Sequence, residues 1–328
     1  MLKKHIPWSL RGVNPFLSAY GDSFLFAGIK RTPPVQTNPD ADTGIHSAVP
    51  HRYLLAYLVA IKSFLRYYPD ITVYVHDDGS LVEHDKALIR AHIEGVRIVD
   101  RGAADDEFDR KVGDAFLSRV RKSYTSYLKL FDPTLISDKQ RIIIVDTDTL
   151  FLKPPDEVIG WSREGGAPWY HRVHQGRMSK RDGGALTNLT QLQDVHIQAL
   201  ITRSLDDINE TLGAHYAIFP GFNSGFIGYE HGTVRFDELG KLLHALYERF
   251  SEKIFRWGAE QTTHALILGG RGATALPVEE YFVYTQNNAH LADKATFIHF
   301  IGENRFYRMH YPRLASRVVH ELGKRHAQ

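Results

Sequence analysis

The sequence of 328 residues contains no cysteine. That removes disulfide staples, thiolate zinc sites and cysteine nucleophiles from consideration. Charge of one sign is also scarce. Forty Lys and Arg against 38 Asp and Glu leave a net +2, too mild a basic excess to argue for nucleic acid. Long apolar runs are missing. The run from Tyr53 to Ile61 stops at Lys62, against the ~20 residues needed to cross a bilayer. The opening MLKKHIPWSLRG has two lysines with no apolar stretch behind them, so no secretory signal is expected there. The lack of both a signal and cysteine points to a bacterial cytoplasm. Core-forming material is plentiful, with 43% hydrophobic and 12% aromatic residues. That excludes disorder and suffices for one large domain or two modest ones. Eighteen histidines are many, but the count alone selects nothing.

Strand and helix patterns alternate through the first half. Ser23 to Arg31 reads as a first strand, followed by a Pro-, Thr- and Asp-rich loop to Pro50. Leu54, Leu58, Ile61 and Leu65 recur at helical spacing within His51 to Tyr68. Ile71 to Val75 is a buried strand, Leu81 to His92 a helix, Val96 to Asp100 a strand and Ala115 to Phe131 a longer helix. Arg141 to Leu152 follows, with an Ile-Ile-Ile-Val run typical of a central strand covered on both faces. Such alternation predicts an α/β fold with a mostly parallel sheet flanked by helices. Later segments predict helices at Leu192 to Leu212, Phe236 to Phe250 and Glu260 to Leu268, then two apolar strands, VEEYFVYT and ATFIHFIG. No clean linker interrupts the chain. A single domain is expected, with a nucleotide-binding half at about 20–152, an acceptor and catalytic half at about 153–312, and a terminal helix at 313–328.

Open α/β sheets bind ligands beyond the carboxyl ends of their strands, and Asp77, Asp78, Asp146 and Asp148 fall at such ends. Asp146 and Asp148 sit one residue apart. On an extended chain both carboxylates face the same way, about 7 Å apart at their Cα atoms. That spacing lets two hard oxygen ligands share a divalent cation and leaves positions open for phosphate oxygens. The plain alternative is a pair of turn or capping aspartates. Two enzyme classes place this pattern after an apolar strand. Ile144 to Leu150 resembles the haloacid-dehalogenase phosphatase signature, with Asp146 as nucleophile. Those domains begin with that strand, whereas three predicted strands precede it here. They also need a later apolar strand ending in Asp-Asp, and Asp206-Asp207 lies in a helical context.

Four elements in order resemble the retaining GT-A glycosyltransferases, especially family eight, the glycogenin and lipopolysaccharide galactosyltransferase type. They span about residues 23 to 306. The first is the D-x-D in IIIVDTDTLFLKPP, and the second Asn223-Ser224-Gly225 in GFNSGFIGYE. Glu260-Gln261 stands where the family has Asp-Gln, and HFIGENRF, His299 to Phe306, resembles its H-F-x-G-x-x-K-P-W element. The resemblance implies a GT-A fold and a metal-dependent hexosyltransferase using a nucleotide-sugar, most simply UDP-linked, with retention at the anomeric carbon. Asp146, Asp148 and His299 would hold Mn²⁺ or Mg²⁺, an ion set that takes mixed oxygen and nitrogen ligation. Gly302 and Arg305 would meet the diphosphate, since Arg offers bidentate donors. As catalytic residues, Asn223 would shape the donor-sugar and acceptor pocket, and Glu260 and Gln261 would sit by the anomeric carbon, orienting the acceptor or steadying oxocarbenium charge.

The sequence departs from the family at several points. Arg305 replaces Lys, Phe306 stands at the Pro position, and Glu260 is one methylene longer than Asp. The expected first strand ends in Ala27 to Arg31 rather than a small, acidic turn. Instead His76-Asp77-Asp78-Gly79-Ser80 resembles the D-D-G-S of inverting family-two transferases, where an aspartate holds uracil. Arg119, Lys122, Tyr124 and Lys129 precede the D-x-D strand on what reads as a solvated basic face, although family members carry a nucleotide-contacting Arg there. His171 to Arg181 holds six basic or imidazole side chains, a loop for phosphates, an anionic acceptor or plain solvent. The expected partners are a nucleotide-sugar and a glycan, lipid-linked or other hydroxyl acceptor. The basic and apolar C-terminal stretch also allows a peripheral membrane contact, against the simpler reading of a terminal helix packed on the sheet.

Overall fold

The computed structural model of the protein describes residues 13–173 and 196–324. The chain enters through helix α1 (Val13–Leu25) and a 3-10 turn at Ala27–Arg31. The strand expected at Ser23 to Arg31 therefore does not form. Its buried apolar residues, Phe26 and Ile29, are three apart, the period of a helical turn rather than of a strand. After a short β1 (Val35–Gln36), the true first long strand is β2 (Thr43–Val49), inside the segment read as loop. Its sequence TGIHSAV is nearly all buried, yet Gly, His and Ser dilute the apolar signal.

Then follow α2 (Leu54–Leu65), β3 (Thr72–Asp77), α3 (Glu83–His92), β4 (Ile93–Glu94), β5 (Arg97–Val99) and α4 (Arg101–Lys111). The long helix expected to Phe131 is two, α5 (Ala115–Ser123) and α6 (Tyr127–Ile136). Tyr124 between them is extended, φ −152° and ψ 134°, amid Ser123, Thr125 and Ser126, whose side chains compete for backbone hydrogen bonds. Next come β6 (Arg141–Val145), β7 (Thr149–Phe151), α7 (Asp156–Glu164) and β8 (Trp169–Arg172). The second half runs through α8 (Ile197–Arg203), α9 (Leu205–Leu212), β9 (Phe222–Glu230), α10 (Phe236–Phe250) and α11 (Ala259–Gly270). It ends with β10 (Thr274–Ala275), β11 (Tyr281–Val283), β12 (Phe297–His299) and α12 (His310–Lys324).

One mixed sheet, mostly parallel, runs in the order β5-β3-β2-β6-β9-β8-β11-β12-β7, with β10 beside β8. β9 is antiparallel to both β6 and β8, and β7 antiparallel to β12. Only Asp146, Thr147 and Asp148 separate β6 from β7, yet four strands lie between them in the sheet. Four Cα steps reach at most about 14 Å, whereas five strand spacings in a flat sheet need about 24 Å. The far edge must curl back beside β6, which brings its residues to the carboxyl end of the central strand.

β6 feeds both cores. Ile143 and Val145 join the side packed by α2 and α12, and Ile142 and Ile144 the side packed by α5, α6, α10 and α11. In α12, Tyr311, Leu314, Val318 and Leu322 are buried while Arg313, Arg317 and Lys324 face outward. The apolar side of the terminal helix is thus spent on the core and is not free for lipid. Among the described residues no helix is long and apolar enough to cross a membrane.

Candidate metal and donor site

The D-x-D is a turn rather than a continued strand. Asp146 N donates to Gly225 O (2.9 Å) on β9, and Thr149 Oγ1 closes the turn onto Asp146 O at 2.9 Å. Phe300 N, just past β12, donates to Asp148 O at 2.8 Å. These bonds pin Asp146 to β9 and Asp148 to the residue that follows His299. As a result Asp146, Asp148 and His299 each offer a ligand atom within 4.8 Å of the others. His299 Nε2 lies 3.1 Å from Asp148 Oδ1 and 3.6 Å from Asp146 Oδ2.

The strand β9 slips register against β8 between Tyr170 and His171, so that His171 faces Asn223. This bulge delivers two polar groups behind His299. His299 Nδ1 is 3.1 Å from Asn223 Oδ1 and 3.2 Å from His171 Nε2. Asn223 Oδ1 also accepts from Gly225 N at 2.9 Å. Gly225 has a specific role in the motif. A β-carbon there would lie 2.1 Å from His299 Cε1 and 2.9 Å from Asp146 Oδ2.

Lys129, read from sequence as solvated, is buried and donates to Asp146 Oδ1 at 2.8 Å, with Glu260 Oε2 3.7 Å away. Burial works against its charge, but Asp146 and Glu260 outweigh that and raise its pKa. On α5, Arg119 pairs with Glu252 and Lys122 with Asp109 at the surface. Glu260 is buried at the start of α11, with Oε1 on His264 Nδ1 (2.7 Å) and Oε2 accepting from Ser224 Oγ (3.3 Å). Burial pushes its carboxyl up, and Lys129 and His264 more than reverse this, leaving it below the usual range. Gln261 beside it is half-buried.

Arg305 lies within electrostatic reach of Asp148 but is already paired. It forks onto both oxygens of Asp22 at 3.0 Å and stacks on Tyr53 at 4.7 Å. Burial opposes its charge, and Asp148 and Asp22 hold its pKa up. Burial also pushes Asp148 up, while His299 and Arg305 bring it below its ordinary value. Gly302 adopts φ +56°, and a β-carbon there would meet nothing within 4 Å, so the backbone is open to close approach. Asp77 and Asp78, by contrast, serve their own turn. Asp77 Oδ1 accepts from Gly79 N and Leu81 N at 2.7 and 3.1 Å, and Lys86 pairs with Oδ2. Asp78 caps Ser80. Of the basic loop only His171 and Arg172, on β8, and Val173 fall within the described residues.

The sequence reading missed Lys129, Asp22 and His171 as members of the site. Asp22 lies just before the expected strand, in a segment given no element, and no spacing links it to Arg305, 283 positions away. The phosphatase alternative finds no support: Asp206 and Asp207 are exposed in the first turn of α9, and Asp207 pairs with Arg249.

A carbonyl oxygen only accepts, so His171 Nδ1, 3.1 Å from Phe226 O, carries a proton. In the neutral ring, to which burial drives it, Nε2 is bare and accepts from His299 Nδ1. His299 Nε2, 3.1 Å from Asp148 Oδ1, faces two carboxylates that can only accept, so it must carry a second proton or meet a cation there. A positive charge among the three satisfies all of them, and two carboxylates with one imidazole suit a divalent cation such as Mn²⁺.

No family model matches the sequence, and no curated protein matches it. Solved structures do resemble the fold. The chain is similar to a bifunctional glycosyltransferase, WbbM, with 14% identity over 87% of this chain and TM-score 0.49. It spans about half of that longer chain, 52%. It is also similar to the galactosyltransferase LgtC in complex with donor and acceptor sugar analogs, with 15% identity over 86% of this chain and 95% of that one, TM-score 0.46. A third is the mannosyltransferase Ktr4p from S. cerevisiae in complex with GDP, at 11% identity, 78% and 76% coverage and TM-score 0.46. Likeness at this level assigns no activity, which leaves the chemistry of the site to do so.

Proposed function

We propose that the chain is a metal-dependent glycosyltransferase that moves a hexose from a nucleoside-diphosphate sugar, UDP-linked, to a hydroxyl of a glycan or lipid-linked acceptor, with retention. The observation that carries this reading is the convergence of Asp146 Oδ2, Asp148 Oδ1 and His299 Nε2 beyond the carboxyl end of the central strand. Gly302 leaves room nearby for a diphosphate. A divalent cation bound there supplies Lewis-acid stabilisation of charge growing on the departing diphosphate.

The chain's own groups do the rest. Lys129 holds Asp146 by Oδ1, which leaves Oδ2 turned toward His299. Arg305, fixed by Asp22, keeps permanent positive charge beside Asp148. Glu260 stays ionised next to Lys129, a fixed negative charge suited to steadying an oxocarbenium-like sugar, while Asn223 and Gln261 orient donor and acceptor. The bond from the anomeric carbon to the diphosphate breaks, the bond to the acceptor oxygen forms on the same face, and the hydroxyl proton passes to the leaving phosphate.

The test is a thermal-shift titration of UDP, GDP and their sugars, each with and without Mn²⁺. UDP is expected to raise the melting temperature only when Mn²⁺ is present. A ligand at about 100 times its Kd adds about 2.7 kcal/mol, and Asp148→Ala removes that gain. No response to any nucleotide with metal would sink the proposal.

A further inference from the structure

We propose that the groove between the 3-10 turn at Ala27–Arg31 and helix α12, together with the aromatic face of α1, is a docking surface for an anionic membrane. The groove is a cavity of about 470 Å³. Leu25, Phe26 and Val319 give it an apolar floor, and Arg31, His320 and Lys324 stand exposed on its rim. No acidic side chain lines it, and among the described residues Arg31 and Lys324 have no carboxylate partner. The one carboxylate of α12, Glu321, is paired with Arg66. Asp293, which faces α12 from the loop before β12, is taken by Arg313 and Arg317. The rim is thus cationic with nothing in the chain to neutralise it.

Helix α1 runs into this groove, since Leu25 is its last residue. Phe16, Tyr20 and Phe24 recur every four positions, on one face of that helix, and are 42%, 50% and 52% exposed. A run of exposed aromatics marks an interaction surface. Aromatic rings settle at the headgroup level of a bilayer, and Lys and Arg beside them meet anionic lipid. The lining also favours lipid over a peptide. A backbone laid there would need hydrogen-bond partners, yet the Thr32 hydroxyl already donates to Ile29 O and accepts from Lys62. An acyl chain makes no such demand, and its anionic headgroup meets the cations of the rim. The apolar side of α12 stays in the core, so this helix contributes only Val319 and its basic edge.

Vesicle binding needs neither Mn²⁺ nor nucleotide, so its test is independent of the donor-site reading. Metal-free protein is sedimented with vesicles of phosphatidylcholine and phosphatidylglycerol, and with phosphatidylcholine alone, at low and high salt. Wild type is expected to pellet with the anionic vesicles, and less so at high salt, which screens exposed charges. Arg31→Gln with Lys324→Gln should weaken binding about 5-fold for each charge removed. Arg110→Gln with Lys111→Gln makes the same change of charge on α4, which packs on the opposite core, and should leave binding unchanged. Phe16→Ser with Phe24→Ser should weaken binding while the charges stay in place. Melting curves confirm that each variant is folded, and were the serine variant to unfold, the two charge variants decide. No pelleting with anionic vesicles overturns the proposal, as does an α4 variant that loses as much as the groove variant, or a folded serine variant that binds as wild type does. A wild type that is dimeric in vesicle-free ultracentrifugation, with a monomeric serine variant, makes α1 an interface between copies and also overturns it.

Discussion

A β-carbon on Gly225 would fall 2.5 Å from His299 Nδ1 and 2.9 Å from Asp146 Oδ2, so this glycine is a condition for the ligand set to close. Gly225→Ala is expected to displace His299, cost about 1–3 kcal/mol as an overpacked site does, and abolish the Mn²⁺-dependent shift with UDP. Urea unfolding and the titration check the two parts separately. Asp22 carries a different signature. Burial pushes its carboxyl up to about 6, against the pull of Arg305. A carboxyl whose pKa is raised by folding contributes fully below its unfolded value, near 3.8, and loses that contribution as pH rises through 6. In metal-free protein the stability of wild type minus that of Asp22→Asn should therefore fall by about 3 kcal/mol between pH 3 and pH 7. Urea midpoints of both proteins across that range measure it, and a flat difference would contradict the assignment.

Helix α5 shows how an element's start is set by one side chain. The Asp114 carboxylate accepts from Phe116 N at 2.9 Å and Leu117 N at 3.0 Å, satisfying donors that the first turn leaves without partners. Asp114→Ala should cost about 1 kcal/mol, read from the urea midpoint with an unchanged slope. Element α5 then stops at Tyr124, and α6 restarts to place Lys129 against Asp146. Had the helix continued unbroken, its phase at residue 129 would be set by the surface residues Arg119 and Lys122 instead. The break is thus what turns a basic surface stripe into a buried partner for the site. The β6 turn works similarly: it reverses the chain after Val145 and sends β7 to pair with β12.

At the scale of the molecule, β6 ties both cores together, with Ile143 on one face of the sheet and Ile144 on the other. The earlier and later halves of the chain share one sheet through the β6–β9 pairing. Unfolding by urea should therefore be one transition, with tryptophan fluorescence and far-ultraviolet circular dichroism coinciding, as a single cooperative unit requires. Separate midpoints would show that the curled half around β8, β11 and β12 melts on its own.

The linear sequence determined the α/β class, the central strand and the D-x-D, because these depend on short-range pattern. An Ile-Ile-Ile-Val run can only be covered on both faces, and two aspartates one residue apart are placed by the strand they follow. It also named His299, Asn223 and Glu260 through the order of their motifs. It could not place β2, whose buried Gly, His and Ser carry no apolar signal. Nor could it see Lys129 on Asp146, Asp22 on Arg305 or His171 behind His299. Those pairs are joined by a helix break, a curled sheet edge and a one-strand register slip. Each is a choice among packings of similar local preference, and burial of the whole chain, not the local residues, makes it.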